Sequence, residues 1–102
     1  MSRFGLHGTL IAQPGQRDAL AQLLLGGTKD ASALPGCELY MVSIDETDEN
    51  AVHVTEVWRS EADHKASLQR PEVRETITKG RPMIAGFGGS TRLTVLGGLG
   101  LD

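Results

Sequence analysis

The first segment of the chain alternates with the two-residue period of a β-strand. From Arg3 to Gln13, both sets of alternate positions hold apolar or small residues, and neither set is strongly polar. Because alternate residues of a strand point to opposite faces, this segment lacks a polar face. Such a strand is typical of a sheet covered on both sides, so we expect helices on one face and a second layer on the other.

A helix is predicted after this strand. Pro14-Gly15 opens it, since proline is well placed in the first turn of a helix. Apolar and small residues then recur at helical spacing, at Leu20, Leu23, Leu24, Gly27, Ala31 and Leu34. We predict a helix that runs to Leu34 and is ended by Pro35-Gly36. Because each glycine of Gly26-Gly27 costs about 1 kcal/mol relative to alanine inside a helix, we expect close packing against the sheet or a kink there.

Two further strands are joined by an acidic turn. Glu38 to Ile44 and Ala51 to Arg59 both have the composition of strands, and the polar run Asp45 to Asn50 separates them. This arrangement predicts a β-hairpin. In its second strand, alternation places Glu56 on the same face as Trp58, the only tryptophan of the chain.

The rest of the chain predicts an interrupted helix and a last strand. Ser60 is placed to cap a helix that begins at Glu61, and Pro71 interrupts this helix before a second stretch from Glu72 to Lys79. An apolar segment, a strand and a glycine-rich apolar tail follow, at Met83–Phe87, Ser90–Leu96 and residues 97–102. With neither a linker nor an internal repeat, residues 1–102 are predicted to form a single domain.

The order of predicted elements is β-α-β-β-α-β. This is the ferredoxin-like arrangement of the α+β class, an antiparallel sheet with both helices on one face. Alternation assigns a mixed set of side chains to the other face: His7, Thr9, Ile11, Tyr40, Val42, His53, Thr55 and Val57. Because that face is otherwise bare, we predict a homodimer in which two sheets pack face to face across a two-fold axis. His7 and His53 are then expected to form hydrogen bonds at the interface.

Composition and charge narrow the range of partners. The net charge is −3 and the lysines and arginines are scattered, which argues against nucleic acid and anionic membranes. No apolar run reaches the roughly 18 residues of a transmembrane helix, and the N-terminus lacks a signal core, so we expect a cytoplasmic protein.

Cys37 is the only cysteine and is expected to be a small buried thiol. The histidines have neither His-x-His nor His-Glu-x-x-His spacing, so no metal site is predicted.

Several features together resemble the antibiotic biosynthesis monooxygenase family, especially its small quinol monooxygenases. They are the element order, the Glu56-x-Trp58 strand, the Glu61-Ala62 helix start, the Pro71 break and the segment Arg81-Pro82-Met83-Ile84-Ala85-Gly86. The resemblance covers nearly the whole chain and implies a dimeric α/β barrel with one pocket per subunit between sheet and helices. It also implies oxidation of a phenol or hydroquinone to a quinone by O₂, with no metal or flavin cofactor.

Such a reaction needs a base, an apolar cavity and groups that stabilise a phenolate anion. Glu56 and His64 are the candidate catalytic residues: His64 takes or holds the proton, and Glu56 acts as the base or sets the tautomer of the imidazole. Trp58 is expected to bind substrate as a flat wall and through its indole N–H. The structural alternatives are core filling for Trp58 and an interior hydrogen-bond network for Glu56. For His64 the alternative is a surface pair with Asp63 or Glu61.

Three further residues are candidate substrate-binding groups. Arg81 is a candidate for contacting an anionic substrate, although its place between Gly80 and Pro82 equally suits it to bond helix-end carbonyls. Met83 and Phe87 are candidates for a lid over the cavity, and a place in the core is the alternative.

The chain departs from the haem-degrading relatives of this fold, which are associated with an asparagine on the first strand. Its only asparagine is Asn50, in the hairpin turn, so haem breakdown is not expected. The leading hypothesis is a cofactor-independent monooxygenase acting on a small hydroquinone or polyphenol. Two alternatives stay open: a non-enzymatic small-molecule-binding or stress-response protein on the same fold, and a proton-transfer isomerase of the same barrel. A continuous cavity that touches Trp58 and His64 favours an enzyme, and a pocket closed by Met83 and Phe87 favours the non-enzymatic protein.

Overall fold

The computed structural model describes residues 3–27 and 34–101. Within these residues, four strands form one antiparallel sheet in the spatial order β2-β3-β1-β4. The strands are β1 (Arg3–Ala12), β2 (Cys37–Ile44), β3 (Ala51–Trp58) and β4 (Ile84–Val95). The helices are α1 (Arg17–Gly27), α2 (Glu61–Ser67) and α3 (Pro71–Gly80), and a short 3-10 helix at Arg81–Met83 leads into β4. The predicted ferredoxin-like arrangement of the α+β class is confirmed. No helix in the described residues is long and apolar enough to cross a membrane.

The buried core lies where the helices cover one face of the sheet. At its centre are Ala12, Leu20 and Val52, each at most 1 % exposed. Leu24 of α1 and Met83 pack against this cluster. Burying side chains of this size stabilises the fold by about 1.5–3 kcal/mol each. The core therefore ties α1 to the ends of β1 and β3.

Helix α1 differs from its prediction. It ends at Gly27, and Leu34 is buried in a bend before β2 instead of in a helix. The predicted Ala31 lies outside the described residues. The close packing expected at the glycine pair is present, but against α3 and not the sheet, because a Cβ on Gly27 would lie 3.1 Å from Thr76 Oγ1.

Helix α2 begins where it was predicted to begin. Ser60 Oγ accepts a hydrogen bond of 3.1 Å from the backbone N–H of Asp63, which satisfies one of the free donors at the helix start. Pro71 is the first residue of α3, so the predicted proline break separates the two helices. The loop before β2 also contacts this start: Gly36 has φ 86°, and a Cβ at Gly36 would overlap the side chain of Asp63.

The register of β2 corrects one prediction. Tyr40 lies opposite Glu56 of β3, and Val42 lies opposite Val54. Both therefore lie on the helix face, and their predicted place on the bare face is wrong. The register shifts just before them, at Glu38. An extra residue in one strand of a pair moves the side chains beyond it to the other face.

The face of the sheet away from the helices carries a histidine pair. His7 Nδ1 lies 3.0 Å from Thr55 Oγ1, and His53 Nδ1 lies 3.0 Å from Thr9 Oγ1. The two imidazole rings stack with their centroids 5.7 Å apart. His53 Nε2 also lies 2.7 Å from Asp45 Oδ2, and the hydrogen bonds that Asp45 accepts hold the pKa of its carboxyl well below the usual range. Both histidines of this face are thus paired within the sheet.

Strand β4 begins earlier than predicted. Ile84 already pairs with Ala12 of β1, and the strand continues to Val95 with two register shifts along β1. Most of the segment Met83–Phe87 is therefore part of the sheet and does not form a separate lid. The glycine-rich tail follows the strand, and Leu99 in the tail is fully exposed.

Candidate active site

A cavity of about 140 Å³ lies between the sheet and the helices. It is lined by Leu24, Gly27, Leu34, Tyr40, Glu56, Trp58, His64, Ser67, Leu68, Val73, Thr76 and Ile77. The lining is largely apolar with a few polar groups, which is the usual form of a small-molecule site. Glu56, Trp58 and His64, which were predicted from the sequence to share one site, all reach this cavity.

Trp58 holds the carboxylate of Glu56 in place. Alternation along β3 puts both side chains on the helix face, and the indole N–H donates a hydrogen bond of 2.9 Å to Glu56 Oε1. Trp58 is only 1 % exposed, so it fills the core as well as lining the cavity. Because its N–H is already bonded to Glu56, the predicted use of this group as a donor to substrate does not fit the structure.

His64 lies beside this pair and is the fourth residue of α2. Its Nε2 is 3.9 Å from Glu56 Oε1, an ion-pair distance that is too long for a hydrogen bond. The imidazole meets the Trp58 ring edge-on at 5.4 Å and the Phe4 ring at 5.5 Å. The Ser60 cap fixes the start of α2, so it also fixes where the imidazole stands. His64 is half-buried against these rings and does not form the surface pair considered as its alternative.

Burial shifts the ionisation of Glu56. Removal from water raises the pKa of its carboxyl above the ordinary value of 4.5, while the Trp58 hydrogen bond and the nearby His64 act in the opposite direction. The effect of burial on the pKa of Glu56 is the larger one, because only one hydrogen-bond donor contacts the carboxylate. A perturbed carboxyl at the wall of an apolar cavity is typical of a functional site.

Tyr40 is a cavity residue that was not predicted from the sequence. Its Cα partner across the strand pair is Glu56, so both side chains leave the sheet at the same level. Burial and the Glu56 carboxylate raise the pKa of the Tyr40 phenol, which keeps it a neutral O–H donor. Its place follows from the pairing of β2 with β3, whose register shifts between Cys37 and Leu39, and the residue pattern within β2 does not signal it.

Most of the polar donors that line the cavity already donate hydrogen bonds to neighbouring groups. The Ser67 hydroxyl donates to the backbone carbonyl of His64 at 2.6 Å, and the Thr76 hydroxyl donates to that of Glu72 at 3.0 Å. Among the described residues, three polar groups of the lining have no hydrogen-bond partner: the Tyr40 hydroxyl, Glu56 Oε2 and the imidazole nitrogens of His64. These groups are free to contact a ligand.

The three other predicted substrate-binding residues lie elsewhere. Arg81 and Phe87 border a separate surface depression next to β4, and Phe87 is 76 % exposed. Met83 packs against the core cluster, as its structural alternative proposed. None of these residues is among those that line the cavity, because β4 lies beyond β1 at the far edge of the sheet from β2.

The described residues contain no group of three or more His, Cys, Asp or Glu side chains that could hold a metal ion. Cys37 is half-buried and directs its Sγ to the carbonyl of Leu39 at 3.5 Å. Burial and the neighbouring Glu56 raise the pKa of this thiol, which keeps it protonated. Cys37 was predicted to be a small buried thiol, and it is only partly buried.

Comparisons with known proteins agree on one family. A sequence profile described as "Antibiotic biosynthesis monooxygenase" matches residues 3–79. A structure of a proposed antibiotic biosynthesis monooxygenase from Chloroflexus aurantiacus J-10-fl is 42% identical, with a TM-score of 0.91, over 99% of this chain and 100% of that chain. A proposed member from Caulobacter crescentus CB15 is 22% identical, with a TM-score of 0.83, over 93% of this chain and 91% of the other, which shows the fold alone. No curated protein gave a match.

Proposed function

The chain belongs to the antibiotic biosynthesis monooxygenase family, and from this premise we propose that it oxidises a small phenol or hydroquinone to a quinone with O₂, without a metal or organic cofactor. The observation that carries the proposal is the buried carboxylate of Glu56, held by the Trp58 N–H at the wall of an apolar cavity. A carboxylate in such a place is suited to remove a proton from a ligand.

In the first step of the proposed reaction, Glu56 acts as the base. Its Oε1 accepts the Trp58 hydrogen bond, which leaves Oε2 to receive the phenolic proton. Since burial raises the pKa of this carboxyl, its ionised form is a stronger base than a solvated carboxylate. His64 Nε2 stands 3.9 Å from Oε1 and is placed to stabilise the resulting anion or to hold the proton.

The second step is the reaction of the phenolate with oxygen. The electron-rich anion passes an electron to O₂, and the two radicals combine to form a C–O bond. One oxygen atom then remains as a quinone carbonyl, and the other leaves as water with the two hydrogens that the substrate loses, one from the hydroxyl and one from the ring carbon. All electrons come from the substrate, so no external reductant is required.

The walls of the cavity support this chemistry by excluding water. Leu24, Val73 and Ile77 provide apolar surface opposite the sheet. Electrostatic interactions are stronger in such surroundings, and radical intermediates are protected from side reactions. The cavity touches Trp58 and His64 and is not closed by Met83 or Phe87, which favours an enzyme over a filled, non-enzymatic scaffold.

An oxygen-consumption assay tests the proposal. Metal-stripped protein is mixed with a panel of phenols and hydroquinones, with and without O₂, and quinone formation is followed by absorbance. We expect oxygen-dependent turnover, and a loss of about 10²–10⁴-fold in kcat/KM for Glu56→Gln. The matched control is Glu75→Gln, which neutralises an exposed glutamate on α3 that pairs with Lys79.

Two results would contradict the oxygenase, and a third would contradict the assignment of its base. Turnover that does not require O₂ would identify the proton-transfer isomerase instead. Binding of the compounds with no turnover would favour the non-enzymatic protein. Equal rates in the wild type and in Glu56→Gln would remove Glu56 from the reaction.

A further inference from the structure

The size of the cavity limits what it can hold. Its volume is about 140 Å³, and an apolar protein cavity of about 150 Å³ takes up one benzene ring. On one side the backbone of Gly27 approaches Thr76 so closely that a Cβ at Gly27 would lie 3.1 Å from the hydroxyl. Leu68 and Ile77, which are 39 % and 40 % exposed, form the rim. A second fused ring would have to extend past these rim side chains.

The polar groups of the cavity are concentrated on its floor, which is the sheet. Tyr40 and Glu56 are direct partners on the neighbouring strands β2 and β3. The hydroxyls of Ser67 and Thr76, on the helix side, are bonded to helix carbonyls. A ligand therefore meets free hydrogen-bonding groups at the sheet and at His64 of α2, and apolar side chains elsewhere on the helices.

We propose that the ligand of this cavity is a single-ring phenol, whose hydroxyl lies at Glu56 and is also anchored by the hydroxyl of Tyr40. The proposal rests on the proposed function for its chemistry, and its binding part can be tested without turnover. Tyr40 is thereby a substrate-binding residue that sets specificity. The cavity selects ligands by the number of their rings.

The two anchors have complementary roles. The ionised Glu56 carboxylate is an acceptor only, and it takes the proton of the ligand hydroxyl. The Tyr40 phenol is kept neutral because burial raises its pKa, so it donates to the ligand oxygen. A donor at this position gains strength as the ligand oxygen becomes an anion, since hydrogen bonds to charged groups are stronger than neutral ones.

Binding is measured under anaerobic conditions with phenol, 4-methylphenol, toluene and 1-naphthol. Titration calorimetry gives affinities. The indole N–H resonance of Trp58 reports events at the site, because the chain has one tryptophan and its N–H contacts Glu56. We expect both phenols to bind and to shift this resonance, with toluene and 1-naphthol at least about tenfold weaker.

Two variants test the Tyr40 anchor and the single-ring limit separately. Tyr40→Phe keeps the ring and removes the hydroxyl, so phenol should bind about tenfold more weakly while toluene is unchanged. Ile77→Ala trims a half-exposed rim residue and should improve the affinity for 1-naphthol relative to the affinity for phenol. Val73→Ala, inside the cavity, provides a second enlarged variant if Ile77→Ala does not fold.

Each contrary result has a defined meaning. Wild-type affinity for 1-naphthol equal to that for phenol overturns the single-ring limit, and an unchanged phenol affinity in Tyr40→Phe overturns the anchor. No binding of phenols at millimolar concentration overturns the whole proposal. Phenols that bind without consuming O₂ contradict the proposed function alone, whereas oxygen-dependent turnover of two-ring diols but not of single-ring ones contradicts this inference alone.

Discussion

Two glutamates around the start of α2 have pKa values displaced in opposite directions. Burial raises the pKa of Glu56, whereas the hydrogen bond from the Arg92 guanidinium lowers the pKa of Glu61. A carbon-13 NMR titration of the side-chain carboxyls should therefore place Glu56 above and Glu61 below the ordinary value of 4.5. Arg92→Gln should return Glu61 towards that value and leave Glu56 unchanged. Titration of Glu56 below 4.5 would show that burial does not control this site.

The raised pKa of Glu56 also predicts how this residue affects stability. Its folded-state pKa lies above the unfolded value, so the folded protein binds more protons between the two values, and stability from this group falls as pH rises through that window. Glutamine mimics the protonated acid and still accepts the Trp58 hydrogen bond. The unfolding free energy of Glu56→Gln relative to wild type should therefore increase from pH 4 to pH 8, by about 1.4 kcal/mol for each pH unit that separates the folded and unfolded pKa values. Denaturant unfolding at several pH values measures this difference, and a flat difference would contradict it.

At the level of elements, Gly36 couples the loop before β2 to the start of α2. Its φ of 86° disfavours other residues, and a Cβ there would overlap the side chain of Asp63. Gly36→Ala should destabilise the protein by about 1–3 kcal/mol and displace the helix that carries His64. Thermal unfolding measures the loss. The control is Gly26→Ala, in helix α1 with open space around a Cβ, which should stabilise by about 0.5–1 kcal/mol. Equal effects of the two substitutions would refute the coupling.

Regular elements were predictable where local rules determine them, and the rest depends on contacts between strands. Alternation along β3 and the Ser60 cap were sufficient to bring Glu56, Trp58 and His64 to one cavity. Tyr40 was assigned to the wrong face because the shift at Glu38 is a property of the β2–β3 pairing. Side-chain periodicity within a single strand carries no information about an extra residue in the pair.

The early start of β4 has the same kind of cause. The Met83–Phe87 segment contains no residue that forbids or requires a strand, and its pairing with β1 is established only by the register shifts along that strand. The position of Arg81 and Phe87 away from the cavity follows from the strand order, which places β4 and β2 at opposite edges of the sheet. That order belongs to the predicted ferredoxin-like arrangement, so it already argued against a place for these two residues in a cavity next to β2.

For the whole molecule, the homodimer stays a prediction that the helix-free face of the sheet supports. The histidines and threonines there bond to one another, while Met41 and Leu93 are 49 % and 45 % exposed. By register both lie on this face, opposite Thr55 and Gly5. Two copies can therefore bury this apolar surface without leaving these histidines and threonines unpaired.

Sedimentation equilibrium tests the dimer. Wild-type protein should sediment as a dimer, and Met41→Glu together with Leu93→Glu should give a folded monomer, because a two-fold axis doubles the number of buried charges. Leu25→Glu, a substitution of a residue on α1 with similar exposure, should leave the dimer intact. A wild-type monomer in dilute solution would show that the face-to-face arrangement is wrong.

The separation between the core cluster and the cavity has a consequence for how this protein can evolve. Ala12, Leu20 and Val52 are fully buried and support the fold, whereas Leu68 and Ile77 shape the cavity and are 39 % and 40 % exposed. Substitutions at the rim should therefore cost less stability than substitutions in the core cluster, so lineages can explore new ligands through them at a lower risk of losing the scaffold. Leu24 and the buried Trp58 serve both the core and the cavity, so a change of ligand and a loss of stability are hard to separate at these two positions.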